Sequence, residues 1–323
     1  MMMMGHDLPF SEDAPSISTN GRQLLLEWFA TAARDLPWRR TRDPYRILVS
    51  EVMLQQTQVD RVIPRYEEFL ALFPSLEALA AAPTSEVIKC WSGLGYNRRA
   101  VNLQRAAQAV LSEHGGVFPR DVAGLRRLPG VGAYTAGALA CFAFEQDVFF
   151  MDTNIRRVVQ RWQVGNARRL SESELQKLGE QLVPAGHGWA WNQALMELGA
   201  LICSSAKPQC WRCPLRNECR AYAERRQADA TVFDEPPSRQ PLRRVAESGA
   251  RGETFVGSRR YYRGRIVAAL RDLAAGECLA VDALGSRIKA DYSSQERAWL
   301  EALLAGLLRD GLIAYSDDEV SLP

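Results

Sequence analysis

The chain has 323 residues, 47% of them hydrophobic and 24% charged, which is the composition of a globular protein with a proper core. Its formal net charge of +2 excludes a histone-like polycation, so any nucleic-acid footprint must be local. No run approaches the roughly 18–20 apolar residues of a spanning helix, and the first residues lack the basic flank of a signal peptide, so the chain reads as soluble and cytoplasmic with no membrane partner.

In chain order, residues 1–21 read as a disordered tail. From 22 to 225 apolar residues recur at three- and four-residue spacing, as at Leu24, Trp28, Ile47, Val52, Val59, Val62, Tyr66 and Phe69, with no sustained strand-like alternation. Asp43 before Pro44, Ser75, Thr84 and Ser171 are helix-start signals. The spacing predicts an all-α domain. At 226–258 Pro, Gly, Ser and charge dominate, predicting a linker. The remainder, 259–323, predicts helices over 261–274, 282–290 and 295–309 followed by a small hairpin. That is the order of a winged helix-turn-helix.

Within the helical domain, Leu128-Pro129-Gly130-Val131-Gly132 turns sharply before a small-residue helix. Glycines at 130 and 132 would let backbone N–H groups approach a phosphate, although an ordinary helix–helix turn has the same composition. Asp152 stands 20 residues after Gly132 and ahead of the basic run Arg156, Arg157, Arg161 and Arg168. By itself it is as well explained as a helix N-cap.

Seven cysteines are present, and Cys203, Cys210, Cys213 and Cys219 form C-x6-C-x2-C-x5-C. Four thiolates so crowded need a cation or cluster to neutralise them. The spacing is neither a zinc ribbon nor a ferredoxin pattern, so chemistry leaves the metal open. Over 203–226 six basic residues face two acidic ones, which suits a phosphate clamp.

The glycine hairpin, the following aspartate and the four cysteines together resemble the helix–hairpin–helix glycosylases, and LPWRRTRDPYRILVSEVMLQQTQVDRVIPRY (36–66) with GLGYNRRAVNL (93–103) resembles the adenine DNA glycosylase subgroup. The resemblance spans about 22–225. It implies a mostly α fold, a six-helix barrel module plus an iron–sulfur module, with one [4Fe–4S] cluster on the 203–219 loop. It implies a monomer that excises adenine mispaired with guanine or 8-oxoguanine in double-stranded DNA during base excision repair.

By the same resemblance Glu51 is the general acid, and its apolar surroundings, Val49, Val52 and Met53, would favour its protonated form. Asp152 stabilises the sugar cation, and Tyr134 and Asn154 position these carboxyls. Gln56 and Tyr96 are wedge residues, flanked by Gln55 and Thr57 in the Q-Q-T run. Arg39, Leu54, Gln193 and Met196 line the base pocket. Tyr134 stands where bifunctional relatives carry a lysine nucleophile, so little or no lyase activity is expected.

Two departures stand out. Asn97 replaces a second tyrosine of the pattern, and the lesion-reading domain with its His-x-Phe-Ser-His loop is missing: the only histidines are His6, His114 and His187. A thymine or uracil glycosylase acting opposite guanine is the neighbouring reading. A non-catalytic DNA-binding regulator is the reading from another class, but it predicts loss of Glu51 and Asp152, both present. The run RRYYRGR (259–265) is equally a phosphate grip or a solvated helix start.

Overall fold

The computed structural model describes residues 19–228, 255–274 and 276–323. Of the expected tail only Thr19–Gly21 falls among them, already helical; the expected linker lies outside them except at its edges.

Helices follow one another as the periodicity predicts: α1 (Thr19–Ala32), α2 (Pro44–Leu54), α3 (Val59–Leu72), α4 (Leu76–Ala81), α5 (Thr84–Cys90), α6 (Arg98–His114), α7 (Val122–Leu125), α8 (Ala133–Phe142), α9 (Thr153–Val159), α10 (Glu172–Leu182), α11 (Gly188–Leu201) and α12 (Arg220–Ala228). Asp43 caps α2 by accepting from Tyr45 N at 2.9 Å, with Pro44 in the first turn. Ser171 and Glu174 form a capping box on α10. Thr84 is instead the first residue of its helix, and its hydroxyl donates to Gln104 Oε1. In α1 the buried residues are Leu25 and Phe29, while Leu24 and Trp28 are only half-buried, so the core face lies one position further along.

The chain forms two compact units that do not follow its order: 1–35 with 145–240, and 36–144 with 241–323. In the first, α11 packs on α1 and α9. Trp162 and Trp191, both buried, meet with ring centroids 6.1 Å apart. Glu197 of α11, 1% exposed on its side chain, receives Arg34 Nε at 2.7 Å; an unpaired carboxylate so buried would be costly. In the second unit α2 is central, packed on α3, α6 and α8, with Tyr45 and every residue from Ile47 to Met53 buried.

The C-terminal residues add α13 (Arg259–Arg271), β1 (Leu279–Ala280), α14 (Val281–Ile288), α15 (Arg297–Arg309), β2 (Ala314–Ser316) and β3 (Glu319–Ser321). The antiparallel sheet has the order β1-β3-β2, with Val320 opposite both Leu279 and Tyr315. Asp317 and Asp318 turn the hairpin with φ of 49° and 66°, the two left-handed positions that a two-residue loop matched to strand twist demands. This is winged-helix order. Its core is shared: Ile88 of α5 and Val101 of α6 are buried in one cluster with Ile266, Leu270, Leu300 and Leu304. Each such aliphatic side chain contributes about 1.5–3 kcal/mol on burial, so the segment is docked on the helical domain rather than tethered to it.

Candidate active site

Glu51 is 3% exposed, inside the most buried stretch of α2. Its location follows from helix periodicity: Ile47, Leu48, Val52 and Met53 wrap the turns around it, and a charged form there is disfavoured unless hydrogen-bonded. Tyr134, in the first turn of α8, donates its hydroxyl to Glu51 Oε2 at 2.7 Å. Beside it Gln55 Nε2 reaches Thr135 Oγ1 at 3.4 Å, which ties the end of α2 to the start of α8.

The chain leaves α2 through Gln55-Gln56-Thr57, where Gln56 takes φ = 55°; Tyr96 in the loop before α6 takes φ = 47°. Left-handed backbone at a non-glycine residue costs on the order of 1–3 kcal/mol and persists only where the surroundings impose it. Arg99 is what imposes it here. Its guanidinium donates to the carbonyls of Val52, Met53 and Gln55 on one side (2.7, 3.0 and 2.7 Å) and of Leu94 and Gly95 on the other (3.0 and 3.1 Å), with Thr57 Oγ1 at 3.3 Å. Burial pulls the Arg99 pKa down to about 10, with the Tyr96 hydroxyl acting in the opposite sense; it remains a cation at neutrality. One side chain thus closes the end of α2 and holds the two segments that carry Gln56 and Tyr96. Sequence reading missed it, because Arg98-Arg99 looks like any basic pair at a helix start.

In the hairpin, Gly130 has φ = 75°, and an added Cβ would sit 2.6 Å from Asn102 Cβ, so the turn itself demands glycine. Gly132 is different. It is exposed, extended, and a Cβ there would meet nothing within 4 Å. Its small size serves the space in front of α8, where the first helical N–H groups point and an anion is favoured.

Asp152 lies in the other unit and is the N-cap of α9: Oδ1 accepts from Ile155 N at 2.6 Å and Oδ2 from Asn154 Nδ2 at 2.9 Å. The bland explanation of this aspartate is therefore correct as far as it goes. Burial nevertheless raises its pKa above the usual carboxylate value, outweighing the hydrogen bonds from Ile155 and Asn154 that pull it down.

Asn154 is held in turn by Arg157, whose Nη2 reaches Asn154 Oδ1 and Gly199 O, both at 2.7 Å, while Nε reaches Cys203 O at 2.7 Å. Gly199 permits this approach: a Cβ there would lie 2.6 Å from Asn154 Cβ. Arg157 is the second residue that sequence reading placed only in a basic run. Tyr134 and Asn154 accordingly serve different carboxyls, the first Glu51 and the second Asp152.

Of the pocket residues, Gln193 is 5% exposed on α11 and Met196, further along the same helix, is half-buried; Leu54 ends α2 and Arg39 sits in a short 3-10 turn. Gln193 and Met196 fall in the unit of Asp152, Leu54 and Arg39 in that of Glu51.

Cys203, Cys210, Cys213 and Cys219 line one cavity, with Arg161 and Arg216 at its wall. Burial drives the thiols of Cys213 and Cys219 up, to about 12 and about 11, and the neighbouring cysteines add to the rise. Arg161 Nη1 stands 3.5 Å from Cys203 Sγ. Among the described residues no three Cys, His, Asp or Glu side chains converge on a point for a single metal ion.

The HhH-GPD superfamily of base excision DNA repair proteins matches residues 49–185. The adenine DNA glycosylase of Mycolicibacterium smegmatis is 40% identical over 296 residues, covering 91% of this chain and 92% of that protein. The mouse adenine DNA glycosylase is 44% identical over 213 residues, 62% of this chain and 41% of the longer mouse protein. Among solved structures, a thermostable thymine-DNA glycosylase superposes with a TM-score of 0.60 at 35% identity, over 63% of this chain and 95% of its own. An endonuclease III trapped on DNA gives 0.56 at 25% identity, over 63% and 94%.

Fold and site together define a base-excision DNA glycosylase of the helix–hairpin–helix class. Within that class the chain belongs to the adenine DNA glycosylase family.

Proposed function

We propose that the chain hydrolyses the N-glycosidic bond of adenine mispaired with guanine or 8-oxoguanine in duplex DNA. The observation that carries this reading is the buried Glu51 bonded to Tyr134. Adenine is a poor leaving group as an anion and departs readily only when protonated on its ring, which requires an acid shielded from water. Glu51 supplies the proton. Tyr134 holds one carboxyl oxygen in place for that transfer.

Loss of the base leaves an oxocarbenium-like sugar, and Asp152 is the carboxylate that stabilises it while water adds. Asn154 orients Asp152 by donating to Oδ2. With Tyr134 in place of an amine nucleophile no Schiff base forms, so strand cleavage waits for alkali. Extrusion of the base from the stack is the work of Gln56 and Tyr96, on the two loops that Arg99 joins, and Gly130-Val131-Gly132 seats a backbone phosphate. Arg39, Leu54, Gln193 and Met196 wall the base.

Cys203, Cys210, Cys213 and Cys219 would hold a [4Fe–4S] cluster. Their arrangement is compatible with it: four half-buried cysteines lining one hollow suit a cluster several ångströms across better than one tetrahedral zinc, whose ligands lie about 2.3 Å away. Its contribution is structural, neutralising buried thiolates and stiffening a basic loop against phosphate. The protein acts as a monomer on DNA; no helix among the described residues is long and apolar enough to cross a membrane.

The likeness to a thymine-DNA glycosylase favours a second reading, removal of thymine or uracil opposite guanine. Single-turnover cleavage tests both: duplexes with A opposite 8-oxoguanine, G and C, and with T and U opposite G, each with and without alkali. Alkali-dependent cuts at A are expected, and cuts confined to T or U would replace this reading with the second.

A further inference from the structure

The winged-helix segment is not built to read DNA in the usual way. On α15, where such folds place base-contacting side chains, the exposed positions are Ala298, Ala302, Ala305, Leu308 and Arg309. The hairpin that would lie along a phosphate backbone carries Asp317, Asp318 and Glu319, and Arg297 is tied to Asp282, Glu301 and Asp318. An acidic wing repels DNA.

The opposite edge of the same segment faces the loop 93–97. Arg260 of α13 lies over the Tyr96 ring, with Cζ 4.2 Å from its centroid and 5.8 Å from that of Phe255. Arg99 covers the same tyrosine at 5.6 Å. At the last residue of α13, Arg271 donates from Nη2 to Asn97 Oδ1 at 2.7 Å and from Nε to Ile88 O at 3.1 Å. Lys89 Nζ to Leu273 O and Ser85 N to Pro323 O, both 3.0 Å, secure the dock. Asn97 is the position at which the chain departs from the family pattern, and its amide oxygen is what accepts from Arg271.

We propose that the C-terminal domain acts on the reaction through this loop: Arg260 and Arg271 are positioning residues that hold Tyr96 in its left-handed conformation, ready to enter the duplex. The loop contains Gly93 and Gly95, both at positive φ; Arg99 holds its carbonyls at Leu94 and Gly95, and α13 adds a hold on the Tyr96 ring and the Asn97 side chain. Bracing it from α13 lowers the ordering cost at the moment of base extrusion. This rests on the reading of Tyr96 as a wedge.

The test uses the full chain on a duplex with A opposite 8-oxoguanine and 2-aminopurine beside the target adenine. Fluorescence then reports unstacking, and single-turnover excision is followed in parallel. Arg260→Ala is expected to reduce both the fluorescence rise and the excision rate about fivefold. Asn97→Ala cuts the Arg271 link from the other side without touching the core of the C-terminal domain, and the same direction is expected. Thermal unfolding monitors the fold of each, so misfolding of one variant leaves the other decisive. Arg260→Lys, which keeps the charge but loses the flat stack, is expected to behave like Arg260→Ala, and Arg260→Ala is expected to add nothing to Tyr96→Ala. Full activity of Arg260→Lys, or additive losses in the double variant, would mean that Arg260 grips DNA directly and would overturn the proposal. So would intact unstacking in both Arg260→Ala and Asn97→Ala while Tyr96→Ala is defective. A normal fluorescence rise in Tyr96→Ala would instead remove the wedge reading itself.

Discussion

Tyr134 donates its hydroxyl to Glu51 Oε2 at 2.7 Å, across the contact between α8 and α2. The pair joins two positions 83 residues apart, and everything proposed about proton delivery depends on it. Glu51→Gln keeps the shape and removes the proton, so adenine release is expected to fall below detection while DNA binding persists in a gel-shift assay. Tyr134→Phe removes one hydrogen bond to the carboxyl, an interaction of about 1.5–3 kcal/mol, so excision should slow by roughly ten- to a hundredfold. An unchanged single-turnover rate in Tyr134→Phe would show that the tyrosine does not orient the acid.

Asp152 predicts opposite effects on activity and stability. Its folded pKa is raised above the unfolded value, so its charge costs stability once pH exceeds the folded pKa, and that cost vanishes below the unfolded pKa. Asparagine caps a helix as well as aspartate does. Asp152→Asn should therefore lose excision yet melt at a higher temperature than the parent at pH 7, the difference closing as pH falls through the ordinary carboxylate range. A lower Tm at pH 7 would contradict the burial argument.

Arg99 bonds four part-buried carbonyls, of Val52, Met53, Gln55 and Leu94, besides the exposed one of Gly95. Arg99→Met leaves several of them without a donor, and destabilisation of about 2–4 kcal/mol is expected, measurable as a lower midpoint in urea at unchanged slope. Because the same carbonyls bracket Gln56 and Tyr96, excision should fall further than the fraction folded. Loss of stability with a normal rate per folded molecule would make Arg99 purely structural.

For the cysteines, metal analysis decides. The purified chain is expected to hold about four iron atoms with matching acid-labile sulfide and a broad visible absorbance. Cys213→Ser should lose all three together with duplex affinity. One zinc per chain in place of iron would correct the assignment.

Arg157 connects the cysteine loop to Asn154 and so to Asp152. Arg157→Gln is expected to slow excision at least tenfold, from a charged hydrogen bond of about 1.5–3 kcal/mol, without changing the apparent affinity for uncleaved duplex. A proportional loss of affinity would place its effect in the basic loop instead.

Much of this was legible in one dimension because the signals are local. Helix periodicity, the caps at Asp43, Ser75 and Ser171, the turn at Gly130 and the spacing of four cysteines are set by neighbours along the chain, and the proposed roles of Glu51 and Asp152 come from the resemblance that such local runs carry. Which face of α1 is buried was not legible, since Leu24 and Leu25 are equally apolar and only packing on α11 distinguishes them.

What tertiary structure alone decided are the arginines. Arg99, Arg157 and Arg260 sit in basic runs that composition assigns to solvent or phosphate and Arg271 stands alone beside Asp272, yet in the fold each is held by protein groups: carbonyls for Arg99, Asn154 and the Cys203 carbonyl for Arg157, aromatic rings for Arg260 and Asn97 for Arg271. A guanidinium's five donors can be satisfied by water or by backbone, and the choice depends on which carbonyls distant segments bring within reach. The sequence by itself determined the helical scaffold, the residues able to carry the chemistry and the thiol set. Only the folded chain determined what holds those residues in place, because hydrogen bonding between remote segments leaves no period and no motif.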